Sequence, residues 1–207
     1  MIRQDILESQ AKLVYLGIGS NLGNRKSNIE RARLILLERN IEILKSSSFY
    51  ETSSWPNPKN PKFLNIVLKV RTHFGPVKLL KLCKKIELFL GRKDSPKNSP
   101  RECDIDILDY DNKMIKKGIK LPHPRMHSRN FVLFPLFELD KNWSHPVTKQ
   151  DIKNLLNELK VPLNFEMADT EEMVNFAIEN LPYACCIVPV SYTHLRAHET
   201  VLDLVCR

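Results

Sequence analysis

The run Arg101-Glu102-Cys103-Asp104-Ile105-Asp106-Ile107-Leu108 alternates apolar and acidic residues. A period of two is a strand's: Cys103, Ile105 and Ile107 fall on one face, Asp104 and Asp106 on the other. The chain must therefore cover the first face and leave the second against something polar. Side chains at i and i+2 on a strand stand about 6.5–7 Å apart, so the two carboxylates repel unless a cation lies between them. Hard divalent ions with oxygen ligands, Mg²⁺ above all, meet that demand and usually bring substrate phosphates with them. A solvated acidic face is the plainer reading, but aspartate is disfavoured within strands. The surroundings decide for chemistry, because Arg92, Arg101, His123, Arg125, His127 and Arg129 flank the run with donors suited to polyphosphate. These residues read best as a metal-assisted, phosphoryl-type site.

The rest of the chain supplies the covering layer. Leu13 to Ile18 is an apolar strand, and Gly19 to Asn24 is turn chemistry without the Gly-Lys-Ser/Thr of a nucleotide-binding loop. A helix is predicted from about Lys26 to Arg39, with a Ser27–Glu30 capping box, a buried stripe of Ile29, Ala32, Ile35 and Leu36, and a stop at Asn40. Ile41 to Thr52 reads as one long or bulged strand. Ser53 to Lys62, with three prolines and Trp55, cannot be regular and is long enough to be functional; Trp55 either covers a ligand or folds back on the core. Phe63 to Val70 is a strand whose one amide, Asn65, needs partners and suits a flat heterocycle. Pro76 opens a second helix and Gly91 ends it, with a stripe of Val77, Leu80, Cys83 or Lys84, and Glu87, the last a rim residue or a ligand contact. After the polar loop 92–100 and the acidic strand, Asp111-Asn112 makes a turn, and Asn130 to Leu139 is an apolar helical or buried stretch broken by Pro135. The order is β-α-β-β-α-β: an α+β, ferredoxin-like antiparallel sheet with helices on one face.

Hydrophobic residues make up 43% of the 207, which suits one globular core with an appendage. No apolar run reaches the length of a membrane span, and the first residues lack the apolar centre of a signal peptide. Five cysteines (Cys83, Cys103, Cys185, Cys186 and Cys206) form no C-x-x-C pair, so reduced thiols in a cytoplasmic protein are expected. A net charge of +8 fits either a nucleic-acid binder or an enzyme of polyanionic substrates. A small basic RNA-binding module shares the β-α-β-β-α-β order, but it would carry aromatics on the sheet face where this chain carries acids.

Gly19-Ser20-Asn21-Leu22, Ser48 to Thr52, Phe63-Leu64-Asn65, Ile86-Glu87 with Gly91-Arg92, Pro100-Arg101 with Asp104 to Ile107, Pro122 to Met126, and Arg129 with Phe131 to Leu133 and Pro135-Leu136 form an ordered set of motifs. Together, from about Leu13 to about Pro146, they resemble those of the 6-hydroxymethyl-7,8-dihydropterin pyrophosphokinase family. The resemblance implies transfer of pyrophosphate from ATP to the pterin, with AMP left over. It implies that Asp104 and Asp106 hold two Mg²⁺ ions and that Arg92 and Arg101 join them as catalytic residues. It places Glu87, Arg92, Ile107, His123 and Arg129 at ATP, and Thr52, Trp55, Asn65, Arg101 and Phe131 at the pterin. It further implies a monomer acting on small molecules, with no nucleic acid and no membrane. Two departures stand out. Lys97-Asn98-Ser99-Pro100-Arg101 replaces a longer loop that commonly carries an Arg-Trp pair, and Pro124 stands where a tyrosine often follows the motif histidine. The loop change makes a catalytically impaired paralogue a further alternative.

The domain is expected to span 1–148. Residues 149–189 resemble an internal helix–strand–helix segment of pyridoxine 5′-phosphate synthase, with Glu166 matching an active-site acid; one or two βα units cannot close a barrel of eight. An ordinary C-terminal helix of the first domain is the other reading of Lys149 to Leu159. Val190 to Arg207 resembles translated sequencing-adapter read-through, which makes the tail a non-native appendage; His194 and His198, four apart, are a weak metal pair.

Overall fold

The computed structural model describes residues 10–96, 98–159, 164–168, 175 and 184–188. Strand β1 (Lys12–Ser20) lies between β4 (Phe63–Thr72) and β5 (Asp104–Tyr110), antiparallel to both. The expected single strand over 41–52 is two, β2 (Glu42–Ser46) and β3 (Tyr50–Thr52), each antiparallel to β4. Side chains cause the break: Ser47 takes the Val67 N–H on its hydroxyl, and the Ser48 N–H goes to the Glu138 carboxylate. The antiparallel sheet is as read from the sequence, and the strand break makes the described order up to β5 β-α-β-β-β-α-β.

Helices α1 (Arg25–Glu38) and α2 (Pro76–Phe89) cover the face carrying Leu16, Ile18, Ile66, Leu68, Ile105 and Ile107. The cap of α1 is Asn24, whose side chain accepts from the Ser27 N–H at 3.0 Å; Ser27 lies inside the helix, and Glu30 pairs with Arg33. The stop at Asn40 is left-handed, with φ 59°. On α2 the buried stripe is Leu79, Cys83, Ile86 and Glu87, rotated from the expected one, and Val77 is half exposed. Spacings of four and three keep Leu79, Cys83 and Ile86 in one line, whereas Val77 lies nearly opposite.

The sequence assigned no face to Asn130–Leu139. It forms α3, which runs through Pro135 unbroken and packs on the other side of the sheet, against Tyr15, Val67 and Leu108. Burial of its apolar side chains compensates the hydrogen bond that proline cannot donate. A short helix, α4 (Ile152–Asn157), adds Ile152, Leu155 and Leu156 to this core beside Trp143. A register shift in the β1–β5 pairing inserts Leu108 and turns buried Asp109 to the Trp143 indole N–H, 2.9 Å away.

Strands β6 (Asn164–Ala168) and β7 (Ala184–Val188) pair in parallel. Residues 190–207, with His194 and His198, lie outside the described residues. Among those described, no helix is long and apolar enough to cross a membrane.

His145 closes the turn between α3 and α4: its Nδ1 accepts from the Val147 and Thr148 N–H groups, both at 3.2 Å, and its ring meets those of Trp143 and His127 edge-on. Burial, then His127, lowers its pKa. A folded-state pKa below the unfolded value means that this stability is present above the unfolded pKa of about 6.5 and is lost as pH falls through the folded one. The melting temperature should drop between pH 7.5 and 5.5, by about 2–4 °C per kcal/mol lost. His145→Asn, which keeps an acceptor but cannot titrate, should flatten that profile; an unchanged slope would remove His145 from the account.

Candidate active site

Alternation places Tyr15, Gly17 and Gly19 of β1, Asn65 and Val67 of β4, and Asp104, Asp106 and Leu108 of β5 on the α3 side of the sheet. Helix α3 covers one end of that face. The other end floors a cavity of about 1180 Å³, walled by the loop 53–62, residues 92–101 and the segment from His123 to Val132.

Asp104 is held on both oxygens, by Arg92 Nη1 at 2.6 Å and Arg101 Nη2 at 2.9 Å. Burial pushes its pKa up, but Arg101, Arg92 and Lys84 outweigh that and hold it below the ordinary aspartate value. Asp106 is placed differently: Arg129 Nη1 stands at 3.6 Å and His123 Nε2 at 3.8 Å, beyond hydrogen-bond reach. Burial, then neighbouring arginine charge, lowers the pKa of both His123 and Arg129, so a bound polyanion would relieve both.

Two aromatic rings carry guanidinium groups, Phe63 under Arg101 and Phe131 under Arg129, each at 5.3 Å. Asn65 is buried and gives both amide hydrogens to the protein, to Tyr50 O and to Thr52 Oγ1, which leaves Oδ1 to accept from a ligand. Gly19 permits this: a Cβ there would stand 2.9 Å from Asn65 Oδ1.

The cavity therefore gathers Thr52, Trp55, Asn65, Arg92, Arg101, Asp104, Asp106, His123, Arg129 and Phe131, ten of the residues singled out in the sequence. Trp55, 70% exposed, lies on the loop wall and is not folded into the core. Three expectations change. Glu87 is 1% exposed, accepts from Lys84 Nζ, Arg92 Nη1 and the Ile105 N–H within 2.7 Å, and stands behind Arg92 without lining the cavity. The alternation that exposes both aspartates turns the Ile107 side chain into the core, leaving only its main chain for a nucleotide. His127 turns to His145, away from the cavity. Phe63 and Lys84 line the cavity and were missed; Phe63, two residues before Asn65, shares its face, and period two carries that signal. Beside the cavity Asn98 has φ 68° and the Ser99 N–H donates to Pro96 O.

Among the described residues no group of three or more His, Cys, Asp or Glu could hold a metal by itself. Two carboxylates facing a cation-lined cavity nevertheless fit Mg²⁺, which is commonly bound by one or two carboxylates with substrate phosphates and water completing its shell.

The family model for 7,8-dihydro-6-hydroxymethylpterin-pyrophosphokinase matches residues 15–141, and that for pyridoxal phosphate biosynthesis protein PdxJ matches residues 140–204. The 2-amino-4-hydroxy-6-hydroxymethyldihydropteridine pyrophosphokinase of Aquifex aeolicus is 43% identical over 146 residues, 70% of this chain and 91% of that one. The enzyme of that name from Bacillus subtilis is 36% identical over 61% of this chain and 77% of its own. The folic acid synthesis protein FOL1 of Dictyostelium discoideum is 40% identical over 65% of this chain, but the match spans only 20% of that longer protein. A solved HPPK-DHPS in complex with substrates superposes with a TM-score of 0.58 at 18% identity, over 72% of this chain and 43% of its own, a likeness of fold.

Proposed function

The chain belongs to the 7,8-dihydro-6-hydroxymethylpterin-pyrophosphokinase family, and from that premise we propose that it transfers the β,γ-pyrophosphoryl group of ATP to the hydroxymethyl oxygen of 6-hydroxymethyl-7,8-dihydropterin, in folate biosynthesis. The pterin oxygen bonds to the β-phosphorus as the bond to the α-phosphate oxygen breaks; AMP leaves and the hydroxyl proton passes to solvent. The observation that carries this reading is the acidic pair, Asp104 and Asp106, opening into a cavity lined by Arg92, Arg101, Arg129 and His123.

In this reading Asp104 and Asp106 would hold Mg²⁺, which would supply positive charge to offset that of the phosphates. Arg92, Arg101, Arg129 and His123 take up the remaining charge. Phe63 and Phe131 supply faces for the pterin ring, Trp55 closes over it, and Asn65 with Thr52 reads its edge. The protein works as a cytoplasmic monomer on small molecules, and its functional unit ends near Leu159. The pair also argues against an RNA-binding module, since two carboxylates on the sheet face repel a nucleic-acid backbone.

The test is AMP formation by the full chain from ATP, Mg²⁺ and the pterin. AMP is expected only with all three present. ADP in place of AMP, or AMP without pterin, would overturn the assignment.

A further inference from the structure

Asn21 stands just beyond β1, 2% exposed, and is not among the residues lining the cavity. Every hydrogen-bonding group of its side chain is nevertheless spent on the cavity's two walls. On one side the Asn21 N–H donates to Arg101 O at 3.1 Å while Oδ1 accepts from the Arg101 N–H at 2.8 Å. The β1–β5 ladder begins at Asp104, so strand pairing does not hold Arg101; this two-point clamp does. On the other side Nδ2 donates to Ser54 Oγ at 3.2 Å and to Pro61 O at 3.1 Å, the two ends of the loop that carries Trp55. The Ser54 hydroxyl itself donates to Pro61 O at 2.5 Å, which pinches the loop shut at its base.

We propose that Asn21 is a positioning residue that fixes Arg101 and the Trp55 loop relative to each other, and so sets the gap in which pterin and triphosphate meet. The proposal rests on the function given above. An amide is needed there, because one short side chain must accept from one wall and donate twice to the other. Removing the side chain takes a bond from three partner groups, the Arg101 N–H, Ser54 Oγ and Pro61 O, and leaves Arg101, which carries the pair with Asp104, on a single backbone bond from residue 21.

Three variants and three readouts test this. Asn21→Ala is expected to lower kcat about 30-fold and raise the pterin KM about tenfold, the scale of a small misplacement of positioning groups. Ser54→Ala loosens the loop wall alone and should raise the pterin KM more than it lowers kcat. Tyr110→Phe deletes a partly buried bond to Phe74 O at the far end of β5; it should lower the melting temperature and leave both constants unchanged. Amide hydrogen exchange should quicken at Arg101 and within 54–61 in Asn21→Ala, and within 54–61 only in Ser54→Ala. The proposal is overturned if Asn21→Ala loses stability but keeps both constants, as the Tyr110 control does, or if exchange quickens at one wall only. A wild-type chain that forms no AMP defeats the function; the exchange experiment then decides by itself whether Asn21 holds both walls.

Discussion

Asp106→Asn should cut AMP formation about 10³-fold or more, a loss of about 4 kcal/mol of transition-state stabilisation, with almost no change in melting temperature. The two aspartates make different demands on the fold, and this separates chemistry from stability. Asp106 has its nearest cations at 3.6 and 3.8 Å, so an amide of the same shape breaks no hydrogen bond there. What it removes is a charge facing the phosphates. Asp104→Asn should match that kinetic loss and also destabilise the chain, by about 2–4 kcal/mol, because Arg92 and Arg101 lose the partner they share. Kinetics of AMP release and melting curves on the same preparations check both. An Asp106→Asn protein that retains turnover would remove that carboxylate from the chemistry, and one that binds RNA more tightly while forming no AMP would favour the other fold-mate.

How far the sequence foretold this site follows from how local each signal is. Asp104 and Asp106 were legible because alternation is a property of neighbours, and the strand is where that reading put it. The antiparallel strands and the two helices between them were legible for the same reason. Glu87 was not: its helical position could be counted, but its burial is set by the partners it finds at Lys84, Arg92 and Ile105. Asn21 read as turn chemistry because its partner Arg101 lies 80 residues away. The break between β2 and β3 depends on Glu138, 90 residues from Ser48, and no local window contains both. Pro135 misled in the opposite way. A proline rule applied locally ends the helix, whereas the packed apolar face of α3 carries the helix through.

Glu87 gives the largest effect on stability. Glu87→Ala should cost about 3–5 kcal/mol, since it strands the buried Ile105 N–H and removes a shared anion from Arg92 and Lys84. The melting temperature should fall by about 10 °C. Glu87→Gln should be far milder, within about 1–2 kcal/mol, and the reason is electrostatic. Burial raises the Glu87 pKa, while the Lys84 bond and the Ile105 N–H pull it back only partly. A carboxyl whose folded pKa exceeds the unfolded value contributes most below the unfolded pKa and loses that contribution as pH rises through the folded one. The buried charge thus carries a cost near neutrality that glutamine avoids, while its amide oxygen still accepts from Ile105. Glutamine cannot hold Arg92 as an anion does, so turnover should fall in both variants while only alanine melts early. A nucleotide contact at this position would behave otherwise: both changes would raise the ATP KM and neither would move the melting temperature. Thermal melts and ATP titrations of the two variants decide whether the residue is a strut or a ligand.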